Sequence, residues 1–300
     1  MIYKKIKSFI SDKKYRFMIF NRYGFYNKLS DKEFIKKAFK VRVGYDCNLD
    51  NPQSFNEKLN FLKLNDHNPN YTKMVDKFEA KRYVANLIGE EYIVPTFGVF
   101  EKFDEINFEL LPDQFVLKCT HDSGSVIICK DKSTFNRAKA KKFLEQHLKR
   151  NCYYSSREWG YKNVKPRIII EKYIQETNES AGGSLIDYKF WCFNGVPRFV
   201  YVTVKNNQIF ENFYDMNFIP VMINHGFPRH LPEFSKPNNF EKMKRFASLL
   251  SEGIPFVRCD FSNADEKLYF EEITLYDWGG MVPFCDDWDE KLGKLITLPV

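Results

Sequence analysis

The chain has 300 residues, of which 44% are hydrophobic and 17% aromatic, and its 46 basic and 39 acidic residues give a formal net charge of +7. This composition supplies enough apolar material for two or three subdomains and excludes an intrinsically disordered chain. No run approaches the ~20 apolar residues that span a bilayer, and the N-terminal sequence lacks the pattern of a signal peptide, so we expect a cytoplasmic protein.

The charge distribution and the cysteines indicate which ligands to expect. The basic excess is concentrated at the N-terminus and in the segment RAKAKKFLEQHLKR. Solvated helix faces, an anionic substrate or lipid headgroups would each account for it. No nucleic-acid-binding motif accompanies it, so we expect no nucleic acid among the partners. The seven cysteines include no C-x-x-C pair, which predicts buried, reduced thiols and no zinc site.

Residues 1–70 are predicted to form a basic, mostly helical region. Ile2, Ile6, Phe9 and Ile10 recur at helical spacing among several lysines. A helix of this kind either packs on its own domain or lies on an anionic membrane surface. Peripheral association with the inner face of the cytoplasmic membrane is therefore one of two alternatives for this segment.

Residues 71–175 combine helical and strand patterns. The run KMVDKFEAKRYVANL predicts one helix from Lys73 to Leu87, followed by the strand YIVPTFGVF. Two short apolar runs, FVLKCT and SVIICK, are predicted to form a hairpin around the loop HDSG. A basic helix over about 134–150 and the strand RIIIEKYI complete this α+β region.

The loop between these two strands follows a strand that carries Lys118. Backbone N–H groups in such a loop can bind phosphate oxygens, and a lysine adds a positive charge. A glycine turn between two strands is also ordinary hairpin architecture, so the loop alone does not decide between these interpretations. We expect His121 to be solvated or to donate to a phosphate, and not to act as a general base.

Residues 176–300 are predicted to form a second α+β region. Three alternating runs, DYKFWCFNG, VPRFVYVTV and NQIFENFYD, predict an antiparallel meander. In the loop that follows, His225 and His230 have no acidic or cysteine neighbours, so we predict no metal site there. The helix NFEKMKRFASLLSEGI is predicted to be capped by Gly253.

Two further strand-like runs, VRCDF and LYFEEIT, predict a hairpin. Alternation places Arg258 and Asp260 on one face of the first run. In the second run, only one of Glu271 and Glu272 is expected to face the same way as Asp260. Neighbouring carboxylates on an apolar sheet repel each other unless a cation lies between them, and oxygen ligands suit Mg²⁺. The hairpin therefore points to an enzyme that uses a nucleotide.

Six motifs in this order resemble the ATP-grasp superfamily of ATP-dependent carboxylate–amine or carboxylate–thiol ligases, and they agree best with its TupA-like group from capsular and teichuronopeptide polysaccharide loci. The motifs are DKFEAKRYV, PDQFVLKCTHDSG, IIIEKYI, DYKFWCFNG, VRCDF and YFEEITLY. The resemblance covers about residues 55–300. It implies an α+β ATP-grasp fold, in which subdomains 71–175 and 176–300 clasp ATP. The helical region 1–70 precedes these subdomains in the sequence.

The resemblance implies nucleotide contacts from the first subdomain. Lys118 would contact the phosphates, and the lid over them would be formed by Asp122, Ser123, Gly124 and Ser125. Glu171 would accept a hydrogen bond from the adenine amino group. The rest of the adenine hinge would be formed by Lys172, Tyr173 and Ile174.

The resemblance also implies roles for residues of the second subdomain. Asp260 and Glu272 would hold Mg²⁺. Arg258 would steady the transferred phosphoryl group or the acyl phosphate, and Lys189 would be a second phosphate contact unless it is an ordinary solvated strand residue. Thr274 stands where the family commonly has a metal-binding Asn, so a hydroxyl, a water or no ligand would take that position.

The activity implied by the resemblance is an ATP-dependent and Mg²⁺-dependent carboxylate–amine ligase that acts through an acyl phosphate. Its substrates would be an amine or amino acid and the uronic acid of a surface polysaccharide precursor. One alternative is a glycosyltransferase of the same polysaccharide, for which Asp286-Asp287 is the one paired-Asp motif. Another is a non-enzymatic sugar-binding or membrane-binding module.

Overall fold

The fold, taken from a computed structural model of the chain, combines helices with two antiparallel sheets. The structure describes residues 9–175, 185–205, 208–224, 226–264 and 267–299. This mixed architecture agrees with the predicted α+β class. Within those residues, no helix has both the length and the apolar character required to cross a membrane.

The smaller sheet has the strand order β1-β4-β2-β3. Its strands are β1 (Thr96–Phe100), β2 (Phe115–Cys119), β3 (Ile127–Cys129) and β4 (Ile168–Lys172). The predicted hairpin of FVLKCT and SVIICK is confirmed as the antiparallel pair β2–β3. Strand β4 lies between two neighbours, and its residues Ile168, Ile169 and Ile170 are fully buried, as expected for a strand covered on both faces.

The larger sheet has the strand order β10-β9-β5-β6-β7-β8. Its strands are β5 (Ile186–Phe193), β6 (Val196–Lys205), β7 (Ile209–Asp215), β8 (Pro220–Val221), β9 (Phe256–Ala264) and β10 (Lys267–Thr274). The predicted meander is confirmed as β5–β6–β7, and the predicted acidic hairpin as β9–β10. Because β9 pairs with β5, the hairpin extends the meander into one continuous sheet.

The helices cover these sheets and form the N-terminal region. They are α1 (Lys13–Arg22), α2 (Asp31–Arg42), α3 (Phe55–Asn65), α4 (Asn70–Val75), α5 (Glu79–Ile88), α6 (Arg137–Leu148), α7 (Tyr153–Ser156), α8 (Phe240–Leu250) and α9 (Trp288–Gly293). Helices α2 and α3 each begin with a capping box, formed by Ser30 with Glu33 and by Ser54 with Glu57.

The N-terminal helices pack on one another. Phe17 of α1 is buried beside Phe34 of α2, and Phe9 contacts Phe20 with ring centroids 5.6 Å apart. Ile2 and Ile6 lie outside the described residues. Phe9 and Phe17 therefore pack on the protein's own domain. Attachment of this region to a membrane stays a prediction.

The core of the larger sheet includes helices from the front of the chain. Phe55 of α3 and Val84 of α5 share one apolar cluster with Trp191 of β5. The smaller sheet has its own cluster, which includes Leu144 of α6. The domain boundaries at residues 70 and 175 stay a prediction.

The prediction of one helix from Lys73 to Leu87 is wrong, because α4 ends at Val75 and α5 begins at Glu79. The break lies at Asp76, whose carboxylate accepts a hydrogen bond from the Phe78 N–H at 2.9 Å and pairs with Arg167 at 2.7 Å. An aspartate that binds the local backbone favours a turn over a continued helix.

The helix over NFEKMKRFASLLSEGI also ends earlier than predicted. Its C-cap is Ser251, whose N–H donates to the Ala247 carbonyl. Gly253 has a φ of +71° two residues beyond that cap, so it reverses the chain direction without capping the helix itself.

Candidate active site

Two adjoining cavities lie beside the larger sheet. The first, here called the hinge cavity, has a volume of about 470 Å³ and is lined by Lys118 and Glu171 of the smaller sheet and by Glu271 of β10. The second, called the hairpin cavity, has a volume of about 590 Å³ and is lined by Arg258 and by several residues of β5, β6 and β10. Asp187 lines both cavities, so one continuous cleft runs along the sheet.

The walls of the hinge cavity combine apolar side chains with charged ones. The apolar half of the lining residues is Val94, Val116, Val126, Ile128, Tyr173, Ile174 and Leu185. Val126 and Ile128 are each about half exposed, at 50% and 49%. An apolar slot of this size with polar groups at one end suits a flat heterocyclic ring. The backbone N–H of Lys172 already donates to the Pro95 carbonyl at 2.9 Å, so that group is occupied within the protein.

Glu171 connects two lysines at the base of the hinge cavity. Its carboxylate oxygens lie 2.6 Å from Lys81 Nζ and 2.5 Å from Lys118 Nζ, and all three side chains are at least 85% buried. Burial alone would raise the pKa of Glu171, but the charges of Lys118 and Lys81 outweigh it and hold that pKa below its usual value. The proposed contact of Glu171 with an adenine amino group stays a prediction.

The loop after β2 is anchored by side chains that turn inward. The buried Asp122 carboxylate accepts hydrogen bonds from Ser125 Oγ and from His147 Nδ1. Ser125 Oγ accepts a further bond from the Cys119 N–H at 2.9 Å. Ser123 lines the hairpin cavity, and Gly124 has a φ of +89° with open space around it. Of the four lid residues, Ser123 and Gly124 are therefore the two that can approach a ligand.

The expectation that His121 is solvated or donates to a phosphate is wrong. Its side chain is buried, and Nε2 lies 3.2 Å from the His147 carbonyl oxygen and 3.1 Å from that of Arg150. These contacts tie the loop to the end of α6, so His121 positions the loop.

Lys77 and Lys81 are basic residues of the site that the sequence analysis missed. Lys77 Nζ donates to the Asp122 carbonyl at 2.6 Å, directly under the loop. Both lysines lie within the DKFEAKRYV motif, four residues apart. The spacing gave no usable signal, because Lys77 lies in the break before α5 and Lys81 lies within α5, so the two do not share a helix face.

A β-bulge brings an unexpected carboxylate to the cleft. In the β9–β10 pair, Asp260 lies opposite Glu272, and the register shifts at Glu271. Glu271 accepts a hydrogen bond from Ser262 Oγ at 2.5 Å, and Ser262 shares the face of Asp260. The expectation that only one of the paired glutamates faces the cleft is therefore wrong, because the extra residue of a bulge interrupts the alternation.

Arg258 connects the acidic side chains beside the hairpin cavity. Its guanidinium donates to both Asp260 oxygens at 2.7 Å and to Glu272 Oε1 at 2.9 Å. It also contacts Tyr201 and the buried Asp277. A planar guanidinium with five N–H donors can bind two carboxylates at once, and here it keeps Asp260 and Glu272 close together.

Lys189 adds a second cation beside Asp260. Its ammonium lies 3.0 Å from Asp260 and 3.6 Å from Asp187, and its side chain is only 17% exposed. Lys189 is therefore not an ordinary solvated strand residue. Burial would raise the pKa of Asp260, but Arg258 and Lys189 outweigh it and lower that pKa.

The oxygen donors at the hairpin cavity fit Mg²⁺ held jointly with a phosphate. Glu272 and Thr274 line the cavity, and the buried Asp260 lies directly behind its wall, opposite Glu272 in the β9–β10 pair. No group of three His, Cys, Asp or Glu side chains suited to a metal occurs in the described part of the chain. Mg²⁺ commonly uses one or two carboxylates and completes its shell with waters and phosphate oxygens, so two carboxylates suffice.

Glu271 is predicted to make folding stability depend on pH. Burial raises its pKa from the ordinary 4.5 to about 7, although Lys118 opposes the shift. A raised pKa in the folded state means that stability falls as the pH rises through the interval between these two values. Glu271→Gln should remove this slope and gain roughly 1–3 kcal/mol over the wild type between pH 4.5 and 8.

Urea unfolding of both proteins at several pH values measures this difference. Glu252→Gln, a change of an exposed glutamate, is the control and should follow the wild type. A constant free-energy difference between Glu271→Gln and the wild type across this range would contradict the prediction.

Comparisons with known proteins point to one family. A family model described as TupA-like ATPgrasp matches residues 57–297. No curated protein matches the chain.

Three solved structures illustrate the structural matches. The D-alanine–D-alanine ligase from Bacillus anthracis complexed with ATP is 16% identical, with a TM-score of 0.39, and the match covers 68% of this chain and 55% of that one. For the D-alanine–D-alanine ligase from Helicobacter pylori the identity is 17%, the TM-score 0.40 and the coverage 75% and 61%. The biotin carboxylase domain of the Hydrogenobacter thermophilus 2-oxoglutarate carboxylase is 15% identical, with a TM-score of 0.39, and the match covers 67% of this chain and 40% of that one. The chain spans less than two thirds of the length of each.

Proposed function

Since the chain belongs to the TupA-like ATP-grasp family and has its α+β fold, we propose that it is an ADP-forming ligase that uses ATP and Mg²⁺ to join an amine to a carboxylate. The carboxylate substrate in this proposal is the uronic acid of a surface, capsular-type polysaccharide precursor. The amine substrate is an amino acid or another amine.

The observation that supports the proposal most is the order of groups along the cleft. The apolar slot of the hinge cavity is followed by the buried Lys118, and then by Lys189, Arg258 and the Asp260–Glu272 pair. A nucleotide has the same order of parts: a flat ring, then phosphates, then the bound metal. The cleft therefore matches ATP in both polarity and sequence of contacts.

The proposed mechanism depends on positioned charge. Lys118 and Lys189 would bind the phosphate oxygens, and Asp260 and Glu272 would hold Mg²⁺. When bound, the metal would neutralise charge on the phosphate oxygens. Arg258 would stabilise the charge that develops on the transferred phosphoryl group, because its donors are already held in place by Asp277 and Tyr201.

The bond changes follow from these positions. An oxygen of the substrate carboxylate attacks the γ-phosphorus, the bond from that phosphorus to ADP breaks, and ADP leaves with the electron pair. The amine nitrogen then attacks the acyl carbon, phosphate leaves, and the amine releases a proton. Ser123 and Gly124 would cover the phosphates and exclude water, which would otherwise hydrolyse the acyl phosphate.

Binding of Mg²⁺ with a non-hydrolysable ATP analogue is expected to raise the melting temperature of the wild type. A ligand present at about 100 times its Kd adds about 2.7 kcal/mol to the free energy of unfolding, which corresponds to a shift of a few degrees. Differential scanning fluorimetry with the analogue, with and without Mg²⁺, measures the effect.

Nucleotide sugars with Mg²⁺ are the matched comparison ligands. A shift with nucleotide sugars alone would contradict the ligase proposal and favour glycosyl transfer. The paired acids that suggested the second activity do not support it: Asp286 and Asp287 are exposed, Asp287 pairs with Lys291 at 2.8 Å, and neither lines the two cavities described above.

A further inference from the structure

One end of the hairpin cavity holds a cation and a carboxylate that do not pair with each other. The cation is Arg42, at the C-terminal end of α2, and the carboxylate is Glu158, two residues after α7. Both are half-buried. Within the described residues, neither lies within 4 Å of an oppositely charged side chain.

Arg42 is a half-buried guanidinium with capacity left for an anion. Its terminal nitrogen contacts Met281 Sδ at 3.9 Å, which is a weak acceptor. Burial lowers the pKa of Arg42, and the charge of Glu158 opposes that shift. The two groups therefore interact across the cavity without closing into an ion pair.

Glu158 is held in position by its surroundings. Its Oε1 accepts a hydrogen bond from Ser156 Oγ at 2.6 Å. The buried ammonium of Lys63 donates to the carbonyl oxygens of Ser156 and Gly279, at 2.9 and 2.5 Å, and so joins the two backbone segments that border Glu158. A carboxylate fixed in this way is preorganised to accept hydrogen bonds from a ligand.

Glu158 also lies within electrostatic range of the reacting centre. Burial raises the pKa of Glu158, and the positive charges of Lys63, Arg42 and Arg258 oppose that shift. Arg42 and Arg258 line the same cavity as Glu158, so a group bound to Glu158 would share the cavity with both arginines.

A separated cation and anion in one cavity select a ligand that carries both charges. A simple amine would satisfy Glu158 and leave Arg42 without an anionic partner, and a simple acid would do the reverse. Each buried charge that stays unpaired costs free energy, and charge-assisted hydrogen bonds recover it. A zwitterion satisfies both groups at once.

We propose that Arg42 and Glu158 form the subsite for the amine substrate, and that this substrate is an α-amino acid bound as a zwitterion. Its carboxylate binds Arg42 and its ammonium binds Glu158, in the cavity that Arg258 also lines. This inference rests on the proposed function, and it identifies the chemical class of the amine.

Calorimetric titration of the full chain, saturated with Mg²⁺ and the ATP analogue, tests the subsite. The probes are L-alanine and L-lysine, each compared with its decarboxylated counterpart, ethylamine or cadaverine, which carries no carboxylate. The wild type should bind at least one amino acid about tenfold or more tightly than its counterpart. Arg42→Gln should remove that preference, whereas Arg42→Lys, which keeps the charge, should retain part of it.

Glu158→Gln should weaken the amino acid and its counterpart by similar factors, because both lose the ammonium contact. Arg82→Gln and Glu252→Gln, which alter exposed residues, are the matched controls and should leave all affinities unchanged. Binding of the Mg²⁺–analogue complex should be the same in every variant.

Equal binding of amino acids and their counterparts by the wild type would overturn the inference. So would Arg42→Gln weakening both classes equally, or the absence of any amino-acid binding to the nucleotide-loaded protein. Failure of the wild type to bind the Mg²⁺–analogue complex would instead reject the proposed function, so the two failures are distinguishable.

Discussion

Changing Asp260 to Asn together with Glu272 to Gln is expected to remove the Mg²⁺ dependence of nucleotide binding and to lower ADP formation by roughly a thousandfold. The two side chains are the adjacent carboxylates of the β9–β10 pair, and both accept hydrogen bonds from Arg258. Their amide replacements keep the shape and lose the negative charge that would hold the metal. Calorimetric titration of the ATP analogue, with Mg²⁺ and with EDTA, measures the dependence.

The double change of Asp286 and Asp287 to Asn is the matched control. It also removes two acidic groups, but from an exposed loop, and the Mg²⁺ dependence should stay at the wild-type level. An unchanged affinity of Asp260→Asn/Glu272→Gln for the Mg²⁺–analogue complex would reject the assignment of the metal to this hairpin.

Glu171→Gln is expected to destabilise the fold by about 3 kcal/mol. The variant leaves Lys81 and Lys118 without their shared counter-ion, and those two side chains are only 14% and 15% exposed. Removing one partner of a buried ion pair is costly because the remaining charge stays desolvated. Urea unfolding at neutral pH measures the loss.

A second variant separates the cost of the unpaired lysine charges from a loss of packing. Adding Lys81→Met to Glu171→Gln removes one of the two unpaired cations, so the double variant should be more stable than Glu171→Gln alone. Glu109→Gln breaks the exposed pair with Arg137, whose side chains are 76% and 49% exposed, and should cost less than about 1 kcal/mol. A double variant no more stable than Glu171→Gln would show that the charges are not the cause.

The pairing of Asp260 with Glu272 could be predicted from the sequence. Alternation along VRCDF places Arg258 and Asp260 together, and one short polar turn leaves few possible registers for the following strand. The bulge at Glu271 could not be predicted, since two consecutive glutamates have the same local pattern with and without an inserted residue. As a result, the sequence predicted that one of the two glutamates faces the cleft, whereas Glu271 and Glu272 both line it.

The buried charges next to β4 were also beyond sequence reasoning. Lys77 and Lys81 lie on what appears in the sequence as the solvated face of a helix, and charged helix faces are usually solvated. Their environment depends on long-range pairing, because β4 brings Glu171 to Lys81 from 90 positions later in the chain. The inward orientation of Asp122 has the same origin, since its partner His147 lies on α6.

The position of Arg42 in the chain affects how such a protein can diversify. The segment that defines the family begins at residue 57, and α2 ends before it, at Arg42. In the proposed subsite, Arg42 therefore precedes the family segment, whereas Glu158 and the residues proposed to bind ATP lie within it. On this proposal, substitutions in α2 would change which amine is accepted while the residues proposed for phosphoryl transfer stay unchanged. Relatives that share the family segment but differ in their preceding helices are expected to form different amides.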